Sequence, residues 1–336
     1  MGSSEERSVT LALDAEGGDH APAEIVAGAL AVASPRLHVL LVGRREVLGP
    51  LVPEGSADVE IVESEGTISS LEEPAKAVRS RPRSSIAVGA RTVAEGRADG
   101  FVGAGSTGAM LAAGLLLVKR VRGVKRPAIV TVLPGSDGPL VLLDAGANAD
   151  CRPEHLLEFG MLGSVFARLA LDIAQPRVGL LNIGEEKTKG NELALGAYPL
   201  LAASGLNFVG NVEGRDLLFG AADVVVTDGF TGNVALKLLE GTARAMLTRI
   251  GEAARRDVRS RVGGALLRPA LRSVKAALDP EEYGGTYLLG LRGLVVICHG
   301  NSSRRAIANA LEFGARAVRQ GVVETVEREL GASGDA

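Results

Sequence analysis

Short apolar runs alternate along the chain with longer stretches of helical periodicity, and this alternation limits the fold more than any other feature. The runs are rich in Val, Leu and Ile and end in glycine or aspartate. Such runs are typical of strands covered on both faces, and strands that alternate with helices form a mostly parallel sheet. We therefore predict an α/β fold of three layers, in which helices cover both faces of a Rossmann-like sheet. The predicted strands are residues 9–14, 37–43, 100–103, 128–133, 140–144, 177–183, 207–210, 223–228 and 294–298.

The helices between these strands are predicted from apolar periodicity and from signals at their starts. Pro22, Pro74 and Pro153 each open a helical pattern, at a position where the missing N–H has no partner inside a helix. The predicted helices are residues 22–33, 74–79, 84–95, 107–120, 153–171, 191–203, 231–252 and 302–330. The last of them is predicted to break near Gly314 or Gly321.

The domain organisation is predicted from length and from local composition. Because 336 residues contain neither an internal repeat nor a low-complexity linker, we predict one α/β domain at 8–330, with two interleaved lobes that share the sheet. Tails at 1–7 and 331–336 are predicted to be flexible. Residues 241–279 differ in character, because 244–275 holds nine Lys or Arg and two acids in a helical pattern. This segment is predicted to form a protruding, basic, amphipathic helical hairpin.

Composition and charge exclude several classes of protein. The 44 glycines have no three-residue period, which excludes collagen, and 23% of charged residues is too ordinary for a disordered chain. The longest apolar runs are far shorter than the roughly 20 residues that span a bilayer, and residues 1–7 lack the apolar core of a signal peptide. We therefore expect a cytoplasmic protein. A net charge of −3 and aromatics at 3% argue against nucleic acid as the partner.

The cysteines and the absent motifs narrow the chemistry. Cys151 and Cys298 are far apart, without a Cys/His cluster, so we predict neither a disulfide framework nor a metal site. Neither cysteine has the sequence context of an activated nucleophile. The sequence contains no nucleophile elbow, HExxH, P-loop or kinase signature. We predict no cofactor. Of the reaction classes considered, the one that these absences leave is chemistry on a small phosphate-bearing ligand.

Glycine-rich segments follow several predicted strands, where ligands bind in open parallel sheets. Residues 103–108 match the dinucleotide pattern GxGxxG, but the strand before them is short and no strand-terminal acid follows at about 20 residues. We predict instead an anion site, in which N–H groups around Ser106 and Thr107 face a phosphate at a helix start. The residues predicted to bind phosphate are Gly17, Gly18, Asp19, Gly105, Ser106, Thr107, Gly108, Asn148 and Gly232.

Further polar side chains follow other predicted strands. Lys189 lies in a loop where a lysine neutralises phosphate or stabilises an oxyanion, whereas we interpret Lys187 as a solvated surface residue. Asp228 ends an apolar strand, and Asn233 offers a donor at the start of the next helix. His20 follows a glycine turn and is able to shuttle a proton or bind an anion. Helix capping, loop packing and solvation are the alternative interpretations for all of these side chains.

Seven motifs occur in a fixed order along nearly the whole chain. They are LDAEGGDHAP (13–22), GAGSTGA (103–109), LLDAGANAD (142–150), LLNIGEE (180–186) with KGNE (189–192), DGFTGNVALK (228–237), YGG (283–285) and HG (299–300). Together they resemble the motifs of the bacterial phosphate acyltransferases of phospholipid synthesis. The likeness extends from about Leu11 to beyond Asn309, and a colinear set is far more specific than one glycine motif.

The resemblance implies that long-chain acyl-[acyl carrier protein] and inorganic phosphate react to give acyl phosphate and free carrier. It also implies a fold similar to the phosphate acetyltransferases and the isocitrate and isopropylmalate dehydrogenases. A homodimer in peripheral contact with the membrane is implied as well, next to the glycerol-3-phosphate acyltransferase that uses the product. Two positions depart from the family pattern, because Glu16 replaces a usual methionine and Ser106 a usual asparagine. Glu16 adds negative charge near the predicted site and Ser106 has a shorter reach.

We expect bound phosphate to attack the thioester directly, with Lys189 and Asn233 as contacts for the oxyanion or the phosphate. His20 and Asp228 are expected to position these groups. The hairpin is expected to contact the acidic carrier protein or anionic lipid, and a solvated or dimer-packing helix pair is the alternative. Its candidate contact residues are Arg255, Arg256, Arg259, Leu266, Leu267 and Leu271.

Three other functions remain open at this point. The first is an acyl-CoA:phosphate transferase of the phosphotransacetylase type, which would use the same phosphate site with a different donor. The second is an NAD(P)-dependent dehydrogenase of related fold. The third is a carrier of lipid or anions without enzymatic activity. Phosphate-dependent release of free thiol from palmitoyl-carrier protein, measured beside palmitoyl-CoA and beside nicotinamide absorbance, discriminates these functions from the one that the resemblance implies.

Overall fold

The computed structural model describes residues 7–277 and 280–331. Residues 1–6 and 332–336 of the predicted tails, and residues 278–279 of the predicted hairpin, lie outside the described residues. Eleven strands of the described chain form one sheet, in the order β3-β2-β1-β4-β11-β10-β5-β6-β9-β7-β8. They are β1 (Val9–Asp14), β2 (Leu37–Gly43), β3 (Val59–Glu63), β4 (Gly100–Gly103), β5 (Ala128–Gly135), β6 (Gly138–Leu143), β7 (Val178–Asn182), β8 (Phe208–Glu213), β9 (Val224–Val226), β10 (Thr286–Leu289) and β11 (Leu294–Ile297).

The sheet consists of two parallel halves that run in opposite directions. In the first half β3, β2, β1, β4 and β11 are parallel, and in the second β6, β9, β7 and β8 are parallel. Between them, the pairs β11–β10, β10–β5 and β5–β6 are all antiparallel. Three successive reversals turn the second half against the first, so the carboxyl ends of the two halves lie at opposite edges of the sheet.

Helices separate most of these strands. They are α1 (Ala23–Val32), α2 (Arg45–Leu48), α3 (Pro74–Ser80), α4 (Ser85–Ala94), α5 (Thr107–Ala113), α6 (Pro153–Ala170), α7 (Glu192–Ala202), α8 (Gly229–Ala253), α9 (Val258–Ala277), α10 (Arg304–Arg319) and α11 (Val322–Gly331). A π-helical segment, Gly114–Val118, extends α5. The break in the C-terminal helix lies at Gly321, whose φ of 69° stops α10. The alternative break at Gly314 is wrong, because Gly314 is buried inside α10 against Leu11 and Leu294.

The core has one layer on each face of the sheet. Alternate residues of a strand enter opposite layers, as Leu11 and Ala12 of β1 do. One layer holds the buried faces of α1, α6, α7, α10 and α11, and the other holds those of α3, α4, α5 and the first part of α8. The three-layer arrangement and the mostly parallel sheet predicted from the sequence are therefore confirmed. The sequence predictions omitted β3 and β10, since β3 is a partly exposed edge strand that carries two glutamates and β10 has four residues.

Helices α8 and α9 extend from the core over the segment for which the hairpin is predicted. Leu236 of α8 is buried, but Met246 and Ile250 further along are exposed, as are Leu266 and Leu267 of α9. Over the described residues, no helix is both long enough and apolar enough to cross a bilayer.

Candidate functional site

The predicted anion loop follows β4 and leads directly into α5. Ser106 caps the helix weakly, because its hydroxyl accepts the Ala109 N–H at 3.4 Å. The N–H groups of residues 105–108 donate to no acceptor among the described residues. Unpaired N–H groups at a helix start carry partial positive charge and favour an anion. Gly108 permits the helix to lie against Pro74, because a Cβ there would come within 2.8 Å of the proline ring.

The loop after β1 lies directly beside the anion loop. A Cβ at Gly17 would come within 3.0 Å of the Gly105 Cα and would overlap Asp14 Oδ2, so only glycine fits there. Gly18 has a φ of 104°, a conformation that glycine adopts readily. The next N–H, of Asp19, donates to the carbonyl oxygen of Gly300 at 2.6 Å. The predicted residues from both loops therefore form one group, with Gly300 as a further member.

Asp14 ends β1 beneath these two loops and is fully buried. Its Oδ1 accepts the Glu16 N–H at 3.2 Å, but Oδ2 has no partner among the described residues. Burial raises the pKa of the carboxyl from 3.8 to about 6, although the Ser85 hydroxyl and nearby N–H groups lower it. The Ser85 hydroxyl is also buried and lies close enough to the carboxyl to lower its pKa, but the two groups do not have the geometry of a hydrogen bond. We call Asp14, Gly17, Ser85 and residues 105–108 the Asp14 cluster.

Glu16, the first departure from the family pattern, points away from the anion loop. Its carboxylate accepts the Arg44 Nε–H at 2.8 Å and the Arg44 backbone N–H at 2.9 Å. The Glu16 side chain is 5% exposed and the Arg44 side chain 48%. The guanidinium therefore balances the negative charge that Glu16 adds to this loop.

A second buried aspartate, Asp144, follows β6 in the other half of the sheet. Its Oδ1 accepts N–H groups of Ile129, Gly146 and Ala147 at 2.9–3.0 Å. Its Oδ2 accepts the backbone N–H and the side-chain amide of Asn148, at 2.7 and 2.8 Å. Burial raises the pKa of Asp144, and these donors lower it. Asn148 also donates its amide to Pro127, so this predicted phosphate ligand is engaged in holding its own loop.

The start of α8 packs on the Asp144 loop. A Cβ at Gly232 would overlap the carbonyl oxygen of Asp144, so glycine is required for this close approach. Asp228 caps the helix, since it accepts the Thr231 N–H at 2.8 Å and the Thr231 hydroxyl at 2.7 Å. The Gly229 N–H donates to Asn148 at 2.8 Å. This helix start already holds a carboxylate, unlike the start of α5. We call Asp144, Asn148, Asp228, Gly232 and Asn233 the Asp144 cluster.

Lys189 and Asn233 lie on this side of the molecule with their side chains exposed. The Lys189 stem passes Gly184, and the Asn182 amide donates to the Lys189 carbonyl oxygen at 3.1 Å. Neither the Lys189 ammonium nor the Asn233 amide has a partner among the described residues. A cleft of 410 Å³ borders the same loop, and its lining is mostly apolar side chains such as Leu180 and Leu193, with Asn182, Thr227 and Asp228 among its polar members. Both side chains are therefore available to a ligand.

The predicted site residues thus form two clusters at opposite edges of the sheet, and α8 connects them. Asn233 lies in the first turn of α8, and the Glu240 carboxylate of the same helix lies 3.8 Å from the His299 imidazole. His299 precedes Gly300, whose carbonyl oxygen accepts the Asp19 N–H on the loop beside the Asp14 cluster. Seven residues of helix rise about 10 Å. In this conformation Asn233 and the anion loop therefore do not contact the same atom of a ligand.

The remaining predicted groups take minor positions. His20 is exposed next to Glu24, whose carboxylate binds Arg304, and that guanidinium lowers the pKa of Glu24 to about 2. Burial raises the thiol pKa to about 11 for Cys151 and about 12 for Cys298. Both cysteines are therefore protonated thiols at neutral pH and poor nucleophiles. Within the described ranges, no three His, Cys, Asp or Glu side chains converge in a way that would hold a metal ion.

Sequence reasoning missed Asp14, Ser85, Arg44 and Asp144 as members of the sites. The sequence contains one signal for two of them, because the tripeptide LDA occurs both at the end of β1 (13–15) and at the end of β6 (143–145). Arg44 and Ser85 carry no such signal, since each reaches the site from a strand or helix distant in sequence.

The chain is similar over nearly its whole length to known proteins. The family model described as "Fatty acid synthesis protein" matches residues 9–325. A phosphate acyltransferase of Moorella thermoacetica is 50% identical over 96% of this chain and 96% of its own length. A phosphate acyltransferase of Heliobacterium modesticaldum is 48% identical over 95% of this chain and 97% of its own.

The fold is similar to that of a solved phosphotransacetylase from Streptococcus pyogenes. The two share 17% identity with a TM-score of 0.63, over 93% of this chain and 94% of the other. At this identity the likeness concerns the fold, which agrees with the mostly parallel three-layer architecture described above.

Proposed function

The chain belongs to the phosphate acyltransferase family of fatty acid synthesis proteins, and we propose that it transfers a long-chain acyl group from acyl-[acyl carrier protein] to inorganic phosphate. The product, acyl phosphate, then supplies acyl groups for glycerophospholipid synthesis. One observation supports the phosphate half of this reaction above others, namely the four N–H groups of residues 105–108, for which the described part of the chain offers no acceptor. They provide donors for phosphate without a competing carboxylate cap.

In the proposed reaction, a phosphate oxygen attacks the thioester carbonyl carbon and forms a tetrahedral oxyanion. The C–S bond then breaks, the acyl group stays on phosphate, and the carrier leaves as a thiolate that takes a proton. The high thiol pKa values of Cys151 and Cys298 favour this direct transfer over an acyl-enzyme. The protein's tasks are then to orient phosphate and to stabilise the oxyanion.

We assign phosphate binding to residues 105–108, with Gly17, Gly18 and Asp19 shaping the adjoining wall. Lys189 and Asn233, on the side of the Asp144 cluster, are assigned to the oxyanion or to the phosphate, and this assignment requires the two clusters to come closer together on ligand binding than they are in this conformation. Their exposure and their lack of partners support this assignment.

Other residues of the prediction take positioning roles in this proposal. Asp228, Asn148 and Gly232 fix the first turn of α8, and thereby the direction of Asn233. His20 lies at the rim of the Asp14 cluster, where it is available for a proton or an anion.

The decisive experiment measures release of free thiol from palmitoyl-[acyl carrier protein] with and without inorganic phosphate. We expect release that requires phosphate and produces acyl phosphate. Palmitoyl-CoA as the better donor would indicate the phosphotransacetylase type of reaction instead. A change in nicotinamide absorbance with NAD(P) would indicate a dehydrogenase, and binding without turnover would indicate a carrier.

The assignment of Lys189 and Asn233 is tested in the same assay. Loss of one preorganised oxyanion donor lowers kcat by about 10²–10³, and we expect Lys189→Ala and Asn233→Ala to do so. Lys187→Ala is the matched control, because Lys187 lies in the same loop with its ammonium 6.0 Å from the Tyr198 ring centroid. Near-wild-type kcat in both test variants would remove these residues from the site.

We also propose that the helical hairpin of α8 and α9 contacts the acylated carrier protein, a membrane surface, or a second subunit of a homodimer. The exposed basic and apolar residues support an interaction of this kind. Charge reversal at Arg255, Arg256 and Arg259 is expected to weaken carrier-dependent activity or co-sedimentation with anionic vesicles. Reversal at Arg97, which pairs with Glu60 elsewhere on the surface, serves as the control. Unchanged activity and unchanged sedimentation would argue against contact with the carrier protein and with the membrane. A subunit interface would then be the remaining role of the hairpin.

A further inference from the structure

The Asp14 carboxyl belongs to the Asp14 cluster, but the proposed reaction gives it no role. It ends β1, is fully buried, and lies beneath the backbone of both loops. Its Oδ2 would be 3.2 Å from a Cβ at Gly105 and would overlap one at Gly17. A buried carboxylate oxygen therefore lies directly against the first residue of the loop to which we assign phosphate.

This oxygen lacks the partners that a buried carboxylate normally has. Buried polar atoms are almost always hydrogen-bonded, and an unsatisfied buried charge is costly. Asp14 Oδ2 accepts nothing from the described residues, and the nearby Ser85 hydroxyl is equally unpartnered. A proton on Oδ2 would remove the buried charge. The carboxyl O–H would then be able to donate a hydrogen bond to the Ser85 hydroxyl oxygen. The protonated form is therefore more favoured here than it would be for a carboxyl in water.

The charges around Asp14 do not compensate for its ionisation. On its own loop, Glu16 raises the Asp14 pKa, and Arg44 after β2 is bound to Glu16. Helix α4 contributes the neutral Ser85, and the loop after β4 contributes glycine. A phosphate bound at residues 105–108 would add further negative charge on this side. Like charges close together in a buried site disfavour each other strongly.

We propose that Asp14 takes up a proton when phosphate binds at residues 105–108, and that its neutral form positions this loop for the anion. The inference rests on the proposed phosphate site. Asp14 acts through the loop backbone and is therefore a positioning residue. Because the Asp14 pKa of the free protein is about 6, most molecules at pH 7 hold this carboxyl ionised and have a proton to gain.

The test is calorimetry of inorganic phosphate binding at pH 7 in buffers with different heats of ionisation. Phosphate changes its own protonation on binding, so the informative quantity is the difference between wild type and Asp14→Asn. We expect wild type to take up about half a proton more per phosphate than the variant. We also expect the ratio of the wild-type Kd to the Asp14→Asn Kd to rise about tenfold between pH 5.5 and 7.5. Glu16→Gln removes a charge from the same loop and is expected to keep the wild-type uptake.

The outcomes separate this inference from the proposed function. Equal proton uptake in wild type and Asp14→Asn, with phosphate still bound, overturns the role of Asp14 alone. Absence of phosphate binding by wild type overturns the phosphate site and the inference together. If Asp14→Asn does not fold, infrared difference spectra of wild type decide the matter. Addition of phosphate is expected to produce the C=O stretch of a protonated carboxylic acid, and its absence contradicts the proposal.

Discussion

Two aspartates hold the same position in the two halves of the sheet, and their surroundings differ. Asp14 and Asp144 each end a buried parallel strand before a glycine-containing loop, and both are fully buried. Asp144 receives five N–H donors, which engage both of its oxygens. Asp14 leaves one oxygen without a hydrogen-bond partner in the described chain. The same motif therefore builds a fixed loop in one half and a loop with an unsatisfied charge in the other.

The difference indicates which half responds to a ligand. The Asp144 loop is held by its own carboxylate, and α8 begins on it with a second carboxylate as its cap. That half provides a rigid support for Asn233. The Asp14 half has free N–H groups at the start of α5 and a carboxyl whose charge depends on its surroundings. Binding of an anion therefore changes the electrostatics of the Asp14 half more than those of the Asp144 half.

The largest expected effect comes from Asp144→Asn. An asparagine has one acceptor oxygen, so its NH₂ group would face two or three N–H donors of the loop. We expect unfolding free energy at pH 7 to fall by about 3 kcal/mol or more, because several buried donors lose their acceptor. Chemical denaturation measures this loss. Asp150→Asn, an exposed change in the same loop, is expected to stay within about 0.5 kcal/mol of wild type.

Asp14→Asn is expected to act in the opposite direction, with a pH dependence of its own. The Asp14 pKa is about 6 in the folded protein against 3.8 for the unperturbed group, so the folded state holds this proton more tightly. Its ionisation therefore costs stability that is absent below about pH 4 and complete above about pH 6, and two units correspond to about 3 kcal/mol. Between pH 4 and pH 8, the free energy of unfolding of Asp14→Asn should therefore rise by up to about 3 kcal/mol relative to that of wild type. Denaturation curves at both pH values that show a constant difference would contradict the unsatisfied character of Asp14.

The smallest expected effect comes from Glu16→Gln. Glu16 lies on the Asp14 loop but is bound to the half-exposed Arg44, so its loss is expected to cost about 0.5–1 kcal/mol. The phosphate KM is expected to remain within about twofold of wild type, since the side chain points away from residues 105–108. A double-mutant cycle with Arg44→Gln checks that the loss belongs to this pair. A large change in phosphate KM would indicate that Glu16 contacts the phosphate. The contrast between the two aspartates would then no longer explain how the Asp14 loop responds to the anion.

Much of the fold follows from local patterns. The run VTLALD predicts β1 within one residue, and Pro153 predicts the start of α6, because apolar runs and helix-start residues depend on their own neighbours. Strands β3 and β10 were not predicted, since an edge strand with glutamates and a four-residue strand have weak local signals. Between Gly314 and Gly321, only packing decides that the first continues a helix and the second ends one.

The features of the candidate site also fall into two groups, those that the sequence predicts and those that depend on packing. The sequence by itself determined the glycine loops at strand ends and the family resemblance, because motif residues occur at fixed spacing, and it proposed Lys189 and Asn233 as site residues. Only the tertiary structure decided that three antiparallel pairings separate the anion loop from Lys189, that Arg44 neutralises Glu16, and that Asp14 has an unpartnered oxygen. These features depend on pairings between residues far apart in the chain, and local sequence does not specify which side chains the packed sheet brings together.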